Sequence, residues 1–371
     1  MKIDSPLRIA ILWTELSGYF NACLQTLVQN HPVELSVFRI ARKGATAHPY
    51  KDTLFSWLPR LHTLPDGSIE RFETIWNEIL DFSPDVAIVS GWSVPVYRKV
   101  AKQLRGKRTL VISGLDNPWR GTMKQHLGVF ASRFYVRPLF DAFWVPGERA
   151  GVFARKLGYR GNRVLFGLYS ADRPKLTPIA KWRMVQAHDS DGWPPRFLFV
   201  GRFANIKGLP ALLEAYQRYR EAVDAPWELW LAGSGPLESM VSHRPGVRNL
   251  GFVQPDQLPD LFKQVGVFVL PSRHDPWPLV IHEATSAGLP ILCSRQCGSS
   301  VELVQEGYNG FRFEAGDVDM LTQLLIRMSS KTANLREMGE RSVRMSERYS
   351  PRQWAENLII YLNSMLSREK S

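Results

Sequence analysis

The sequence predicts an α/β protein made of two doubly wound halves, each built on a parallel sheet. Short apolar runs alternate with segments of helical periodicity, a pattern typical of βαβ units. The alternation stops over residues 170–196 and then starts again. The length of 371 residues also suits two domains of ordinary size.

The first half contains five apolar runs bounded by Gly, Pro or Asp, which we interpret as strands. In chain order they are Leu7–Trp13, Val33–Phe38, Asp85–Ser90, Thr109–Ser113 and Ala142–Val145. A helical pattern through Leu24, Leu27 and Val28 separates the first two. Strands separated by helices in this way form right-handed crossovers in a parallel sheet.

Residues 170–196 carry four prolines and Asp-flanked turns, and they predict a hinge. We therefore expect an N-terminal domain over 1–180 and a C-terminal domain over 181–349. The strands predicted after the hinge are Phe197–Val200, Glu228–Ala232, Val267–Leu270 and Pro290–Cys293. The helices predicted there are Leu209–Val223, Pro236–Ser242, Gln257–Val265 and Leu279–Ala287.

The tail, residues 350–371, predicts a helix that packs back on the first domain. Ser350 is an expected N-cap, and Pro351 suits the first helical position because its missing N–H has no partner there. Apolar residues then follow at helical spacing.

The charge balance indicates an anionic partner. Lys plus Arg number 47 and Asp plus Glu 35, a formal net charge of +12. Such a chain attracts nucleic acid, phosphorylated small molecules or an acidic membrane face. No nucleic-acid-binding motif is present, so we expect no nucleic-acid partner.

Composition also bears on the compartment. Three cysteines cannot make a disulfide framework, which favours a reducing compartment, and we expect Cys293 and Cys297 to be buried small apolar residues. The apolar runs are far shorter than the ~20 residues of a membrane span. The N-terminal run lacks a cleavage site. We expect a cytoplasmic protein.

Three loops after predicted strands carry candidate chemistry, because ligands of open α/β sheets lie at the carboxyl ends of strands. In the first, Gly201 allows a close backbone approach, and Arg202 and Lys207 flank a helix N-terminus. Cations beside a helix N-terminus favour a diphosphate. A solvated basic loop is the alternative.

The second loop runs from Pro271 to Ala284. Asp275 precedes the predicted helix and Glu283 lies on its second turn, so both carboxylates can reach one ligand from different sides. The N–H groups of Leu279 and Val280 would face a phosphate. The alternative is a capped core helix with two surface acids.

The third loop, Gln296–Glu302, is rich in small residues. Gly298 and Ser299 can bring the backbone close to a ligand, although a plain turn has the same composition. An Asn309-Gly310 turn follows.

Together these segments resemble the group 1 glycosyltransferases, a retaining family of GT-B architecture with two facing Rossmann-like domains and a cleft between them. The family pattern reads here as GRFANIKG, DPWPLVIHEA, CGSSVE and EGYNGF. The detailed resemblance covers about Phe197 to Leu325, and the first half resembles the family only in layout.

The resemblance implies roles for these residues. It assigns Arg202 and Lys207 to the diphosphate of a nucleotide-sugar donor, Asp275 to a sugar hydroxyl and Glu283 to the ribose. The remaining residues expected to bind the donor are Gly18, Gly201, Leu279, Val280, Gly298 and Ser299. No metal or other cofactor is expected, because cations and a helix N-terminus can stabilise the leaving diphosphate.

Two departures from the family pattern stand out. Asp275 replaces the usual Glu and is one methylene shorter, and Pro278 replaces the usual Gly. Leu115 stands where many members carry a histidine. His126 lies further on, but we interpret it as structural or surface.

Acceptor binding is expected in the first domain, with Asp116, Asn117 and Trp119 as candidates. Residues 86–140 hold ten Lys or Arg and one acid, interleaved with aromatics. Such a face suits an anionic membrane or a lipid-linked diphosphate acceptor, although a solvated helix face is the alternative. Asp317 and Asp319 resemble a metal motif, but an N-cap is the simpler interpretation.

The resemblance thus implies a metal-independent retaining glycosyltransferase acting on a glycan or lipid-linked acceptor, in cell-envelope or polysaccharide biosynthesis. The protein would work in the cytoplasm or at the inner face of the membrane. Two alternatives remain: a nucleotide-sugar epimerase or hydrolase on the same fold, and a degenerate non-catalytic partner subunit.

Overall fold

A computed structural model of the chain describes residues 5–41, 52–65, 72–186 and 193–368. Contacts divide the chain into two compact units. The first unit comprises residues 1–170 and 351–371, and the second comprises residues 171–350. Each unit is a doubly wound α/β fold.

The first unit is built on seven parallel strands in the order β3-β2-β1-β4-β5-β6-β7. The strands are β1 (Leu7–Trp13), β2 (Val33–Ala41), β3 (Leu61–Pro65), β4 (Val86–Val89), β5 (Leu110–Gly114), β6 (Ala142–Val145) and β7 (Val164–Phe166). Its helices are α1 (Gly18–Asn30), α2 (Phe72–Phe82), α3 (Pro95–Arg105), α4 (Met123–Tyr135), α5 (Glu148–Lys156) and α13 (Pro351–Arg368).

Both faces of this sheet are buried, as the alternation of side chains along a strand requires. Ala10 and Leu12 belong to one apolar cluster, which also contains Tyr97 of α3. Ile9 and Ile11 belong to the other, which also contains Trp354 of α13.

The second unit has six parallel strands in the order β10-β9-β8-β11-β12-β13. The strands are β8 (Arg196–Val200), β9 (Glu228–Ala232), β10 (Val247–Gly251), β11 (Val267–Leu270), β12 (Ile291–Ser294) and β13 (Gly310–Phe313). Its helices are α6 (Arg173–Gln186), α7 (Leu209–Ala222), α8 (Leu258–Lys263), α9 (Leu279–Ser286), α10 (Ser300–Leu303), α11 (Val318–Ser329) and α12 (Leu335–Ser346).

Residues 173–186 of the expected hinge form α6, and residues 187–192 lie outside the described ranges. The division between the units falls at 170/171 rather than 180/181. Leu176 and Ile179 of α6 lie in the core of the second unit. Pro174 is tolerated because it lies in the first turn of α6, where a backbone N–H has no partner within the helix, whereas Pro178 lies inside the helix.

The predicted helix Pro236–Ser242 is wrong. Only a short 3-10 turn forms there, at Glu238–Met240. A hydrogen bond to the β8 loop holds this segment in place, because the Leu237 N–H donates to the Phe203 carbonyl at 3.0 Å.

The tail helix α13 lies in the first unit. Its Trp354 is buried, and the indole N–H donates to the Leu168 carbonyl at 2.9 Å. The ring of Trp354 also packs on Trp144 of β6, with centroids 4.8 Å apart.

Candidate functional site

The candidate donor site lies at the switch point of the second sheet, where the chain order reverses between β8 and β11. Ligands of open α/β sheets bind beyond the carboxyl ends of strands at such a point. The loop after β8 contains Gly201, Arg202 and Lys207, and the loop after β11 contains Asp275. The fold therefore brings the first two sequence motifs to one place.

A Gly-x-Gly segment after β9 supports the β8 loop, and the sequence reasoning overlooked it. A Cβ on Gly233 would lie 2.0 Å from the Gly201 carbonyl oxygen, and one on Gly235 would lie 2.6 Å from that of Phe203. The Phe203 N–H also donates to the Ser234 carbonyl at 2.8 Å. The signal that could have found the segment is the pair of glycines directly after an apolar strand.

The central contact of the site is an ion pair between Lys207 and Asp275. The resemblance assigns Lys207 to the diphosphate of a donor and Asp275 to a hydroxyl of its sugar. The Lys207 ammonium lies 2.6 Å from a carboxylate oxygen of Asp275. Both side chains are largely buried, with 26% and 11% of their surfaces exposed. One of the three ammonium protons is used in this pair, so two remain for a ligand.

Arg202 differs from Lys207 in its surroundings. It is exposed, and the described part of the chain offers its guanidinium no hydrogen bond or ion pair. An exposed cation on the same loop as the paired Lys207 can turn towards a bound diphosphate.

The α7 helix starts close to this pair because Gly208 permits it. Gly208 has a φ of 74°, a left-handed conformation that glycine adopts without strain. A Cβ there would lie 1.9 Å from the Pro271 carbonyl oxygen. Gly208, the second glycine of the GRFANIKG motif, thus allows the β8 and β11 loops to lie this close together.

The loop after β12 holds Asp275 in place. The Gly298 N–H donates to the Asp275 carbonyl at 2.8 Å, and a Cβ on Gly298 would lie 1.6 Å from the Pro276 carbonyl oxygen. Asp275 and Cys297 form an isolated parallel bridge. Gly298 is therefore required by the packing of two loops.

Ser299 is fully buried, and its hydroxyl donates to the Pro278 carbonyl at 3.2 Å. Pro278 is the N-cap of α9. The Ser299 side chain therefore positions the start of this helix. The N–H groups of Leu279 and Val280 lie in the first turn of α9, where a helix offers them no carbonyl partner. They can therefore donate hydrogen bonds to an anionic group.

Glu283 lies one turn further along α9 and is partly buried. Burial raises the pKa of its carboxyl group to about 7, and the charge of Asp172 adds to the effect. A carboxyl group with this pKa can both accept and donate hydrogen bonds near neutral pH, which suits recognition of hydroxyl groups.

His282 precedes Glu283 and has a structural role. Its imidazole is fully buried, and Nδ1 accepts a hydrogen bond from the Ala171 N–H at 3.2 Å. Burial lowers the pKa of His282 to about 3, so the ring is neutral under ordinary conditions.

The Asn309-Gly310 turn supports the core of the second unit. The Asn309 amide donates to the Leu303 carbonyl at 2.9 Å and accepts from the Gln305 N–H at 2.8 Å. A Cβ on Gly310 would lie 1.9 Å from the Ile291 carbonyl oxygen. This part of the family pattern is explained by packing.

Of the two acids in the Asp317-x-Asp319 pattern, the first is an N-cap, as expected. The Asp317 carboxylate accepts a hydrogen bond from the Met320 N–H at 2.9 Å. Asp319 instead pairs with Arg218 at 2.5 Å. Cys293 and Cys297 are buried, as predicted.

The remaining predicted site residues lie in the first unit. Gly18 is the first residue of α1, and a Cβ there would meet nothing within 4 Å. Asp116, Asn117 and Trp119 follow β5, at the carboxyl edge of the sheet. Asn117 is exposed, whereas Asp116 and Trp119 are partly buried.

Asp116 has a partner that the sequence reasoning did not single out. The Tyr169 hydroxyl donates to its carboxylate at 3.3 Å, and burial raises the pKa of Tyr169 well above its usual range. The Trp119 indole lies under the Lys156 ammonium, 4.8 Å from the ring centroid.

Leu115, which the resemblance places where family members carry a histidine, is 4% exposed and belongs to the core. His126 is exposed on α4 and packs edge-on against Trp119, with centroids 4.9 Å apart. His126 thus lies on the surface of α4 and does not take the place of a histidine at position 115.

Two Rossmann-like units with a cationic switch-point loop define a protein of GT-B class. Residues 194–331 match a sequence profile of the family described as "Glycosyl transferases group 1". These residues are thus similar to that family, and the resemblance indicated by the motifs is confirmed.

Two curated relatives extend the match. Sulfoquinovosyl transferase SQD2 of Arabidopsis thaliana is 27% identical over 275 residues, which are 67% of this chain and 51% of that protein. Amylovoran biosynthesis glycosyltransferase AmsK of Erwinia amylovora is 26% identical over 273 residues, which are 68% of this chain and 63% of that protein. The chain thus spans about half of the first relative and less than two thirds of the second.

A solved structure supports the fold assignment. Anabaena Alr3699/HepE, crystallised in complex with UDP and glucose, superposes with a TM-score of 0.72 at 16% identity, over 96% of this chain and 100% of that chain. The predicted GT-B fold class, with two Rossmann-like domains, is confirmed.

Proposed function

We propose that this protein is a retaining glycosyltransferase that moves a sugar from a nucleotide-sugar to a glycan or lipid-linked acceptor. The observation that carries the proposal is the Lys207–Asp275 pair at the switch point of the second sheet. The pair combines a cation for a diphosphate with a carboxylate for a sugar hydroxyl.

The donor half of the proposal is supported by the local chemistry. Arg202, the free protons of Lys207 and the first N–H groups of α9 all favour a diphosphate. Glu283, on the second turn of α9, suits the hydroxyl groups of a ribose. The HepE structure, which holds UDP and glucose, supports a nucleotide-sugar as the ligand.

The proposed reaction breaks the bond between the anomeric carbon and the diphosphate oxygen, which leaves with the electron pair. The acceptor oxygen bonds to the anomeric carbon on the same face, and its proton passes to the departing diphosphate. Fixed cations and helix N–H groups stabilise the charge that grows on the leaving oxygen. This arrangement requires no metal ion.

The acceptor half rests on the first unit, where Asp116, Asn117 and Trp119 follow β5. AmsK is named for amylovoran biosynthesis, which supports a role in polysaccharide assembly. We place the protein in the cytoplasm, with reversible contact to the anionic inner face of the membrane. None of the helices in the described ranges is long and apolar enough to span a bilayer.

The proposed membrane contact depends on basic residues between positions 86 and 140. Within α3, Arg105 pairs with Asp141 at 2.7 Å, and the Lys99 ammonium lies 3.7 Å from the centre of the Phe72 ring. Lys102 is exposed and is therefore a better candidate than Arg105 for contact with anionic lipid.

The experiment that tests the proposal measures release of nucleoside diphosphate from a panel of nucleotide-sugars, with and without glycan and lipid-linked acceptors. We expect slow release alone, faster release with one acceptor, and a product that keeps the anomeric configuration of the donor. Inversion would overturn the retaining assignment. No release from any donor would favour the non-catalytic alternative, which the burial of Leu115 at the usual histidine position supports.

A further inference from the structure

Helix α4 exposes four large apolar side chains. Met123 is 77% exposed, Leu127 65%, Phe130 82% and Phe134 78%. We refer to these four residues as the α4 stripe. Soluble proteins seldom leave large apolar side chains together in water, and an exposed apolar patch commonly marks an interaction site.

The four residues form one continuous line. They are spaced four, three and four positions apart, which at about 100° per residue places them within roughly 60° of arc. In the same projection, Ser132 lies on the opposite side. The structure agrees, because Ser132 is fully buried and its hydroxyl donates to the Val129 carbonyl at 2.7 Å.

The helix is firmly held with the stripe facing outward. The Thr122 hydroxyl caps its start by accepting from the Gln125 N–H at 3.3 Å. The Gln125 side chain donates to the Pro118 carbonyl at 2.9 Å. Near its end, Tyr135 accepts a hydrogen bond from Arg98 of α3 and lies under its guanidinium.

Basic side chains flank the stripe on both sides. Lys124 falls about 100° from Met123 in one direction and Arg133 about 80° in the other. The segment 120–137 contains Arg120, Lys124, Arg133 and Arg137, and it contains no acid. An apolar line between two cations is typical of helices that lie in the surface plane of a membrane.

We infer that the α4 stripe inserts into the boundary between the headgroups and acyl chains of an anionic bilayer. Lys124 and Arg133 then lie at the level of the lipid phosphates, with their aliphatic stems along the apolar region. Charge complementarity favours this occupant over a second copy of the chain. Two copies would bring identical basic rims together, whereas anionic lipid neutralises them.

The inference deepens the membrane contact proposed above and does not depend on transferase activity. It adds an apolar component that salt does not screen. A purely electrostatic contact would instead be lost at high salt.

The test is co-sedimentation with vesicles of phosphatidylcholine and of phosphatidylcholine mixed with an equal amount of phosphatidylglycerol. We compare the unaltered protein with Phe130→Ser/Phe134→Ser. The matched control is Ile360→Ser, because Ile360 is 68% exposed on α13 of the same unit. A third variant, Lys124→Gln/Arg133→Gln, removes the flanking charges.

The unaltered protein and the Ile360→Ser control should bind the anionic vesicles and stay partly bound at high salt. The double Ser variant should bind at least about tenfold more weakly, since two large apolar groups no longer leave water. The charge variant should bind anionic vesicles more weakly and keep its resistance to salt.

A direct measurement of insertion uses a dye. The three native cysteines are buried, so Phe130→Cys can be labelled selectively with a polarity-sensitive fluorophore. A blue shift on anionic vesicles is expected, and no shift from a bound protein would overturn insertion. Wild-type-like binding by the double Ser variant would also overturn it and leave only an electrostatic contact.

Two further results would overturn the inference. One is that the unaltered protein sediments with neither kind of vesicle. The other is that it forms a dimer without lipid and becomes monomeric in the double Ser variant.

Donor turnover is measured in parallel on every variant. Normal turnover shows that a variant is folded, while absent turnover in every protein would refute the transferase proposal and leave insertion standing.

Discussion

At the residue scale, the Lys207–Asp275 pair decides how the site behaves without ligand. Two opposite charges 2.6 Å apart and largely out of water hold each other in one geometry. The pair holds the carboxylate and the ammonium together at the switch point. Binding therefore needs little rearrangement, which is the condition for strong electrostatic catalysis.

We predict that Arg202→Ala and Lys207→Ala each lower kcat by about 10²–10³, with a smaller effect on donor binding. Both cations act on charge that grows in the transition state. Steady-state kinetics on the preferred donor measures the effect. Arg218→Ala is the control, because Arg218 is an exposed arginine of the same unit that pairs with Glu214 and Asp319. Unchanged kcat in both site variants would refute the diphosphate assignment.

The pair also makes a prediction about stability. Lys207→Met leaves a buried carboxylate without its cation and should lower the free energy of unfolding by about 1–3 kcal/mol. Asp275→Asn in the same background should recover part of the loss, because the uncompensated charge is gone. Denaturant unfolding of the two single variants and the double variant measures the coupling, and strictly additive losses would mean that the pair does not form.

Glu283 gives a pH-dependent prediction. Its pKa in the folded protein, about 7, lies above the ordinary value of 4.5, so the folded state holds the proton more tightly. The contribution of the Glu283 carboxyl group to the free energy of unfolding is fully present below pH 4.5 and is lost as the pH rises through 7. Glu283→Gln should therefore leave stability unchanged near pH 4 and raise it at pH 8 by up to about 3 kcal/mol.

Thermal unfolding of the wild type and Glu283→Gln across this pH range checks the sign. His282 contributes the opposite slope below pH 6.5, because its buried ring resists protonation. That contribution is common to both proteins and cancels in the difference. A lower stability of the Gln variant at pH 8 would contradict the assignment.

The sequence could predict which residues meet at the donor site, but it could not predict how they pair. Arg202, Lys207 and Asp275 follow strands whose carboxyl ends face the same edge, and this is visible in the order of the motifs. The ion pair is a contact between loops far apart in the chain. The roles of Gly298 and Ser299 in packing likewise depend on distances that no local pattern carries.

At the element scale, the loops of the second unit are packed backbone against backbone. Gly298→Ala should destabilise the protein by more than about 2 kcal/mol, because its Cβ would lie 1.6 Å from the Pro276 carbonyl oxygen. Gly18→Ala is the matched control, as nothing lies within 4 Å of its Cβ position. Urea unfolding measures both, and equal losses would show that the loop packing is looser than described.

The strands that the sequence did not predict share a position in the sheets. β3 and β7 are the edges of the first sheet, and β10 and β13 are the edges of the second. Central strands are buried on both faces and read as continuous apolar runs, whereas an edge strand such as β10, VRNLG, is half polar. Their pairing depends on the neighbouring strand more than on their own composition.

At the scale of the whole molecule, the chain leaves its first unit at residue 170 and returns to it at 351. The return is made by α13, whose Trp354 fills a space between Phe20 and Trp144. The stability of the first unit therefore depends on residues at both ends of the chain.

Trp354→Ala should lower the melting temperature of the first unit, with a loss of about 3–5 kcal/mol typical of a buried Trp. The second unit should melt as before. Calorimetry separates the two transitions, and Ile360→Ala on the exposed face of α13 is the control. Destabilisation confined to the second unit would contradict the assignment of α13 to the first.

The central claim is that the second unit binds the nucleoside diphosphate part of a sugar donor. The most direct test is a thermal-unfolding panel of nucleoside diphosphates and nucleotide-sugars. A specific ligand at 100 times its Kd adds about 2.7 kcal/mol to the stability of the unit that binds it. We predict that one nucleotide base raises the melting temperature of the second unit by several degrees, and that Arg202→Ala/Lys207→Ala reduces this shift. A panel in which no compound moves the transition, or in which the double variant responds like the wild type, would contradict the account.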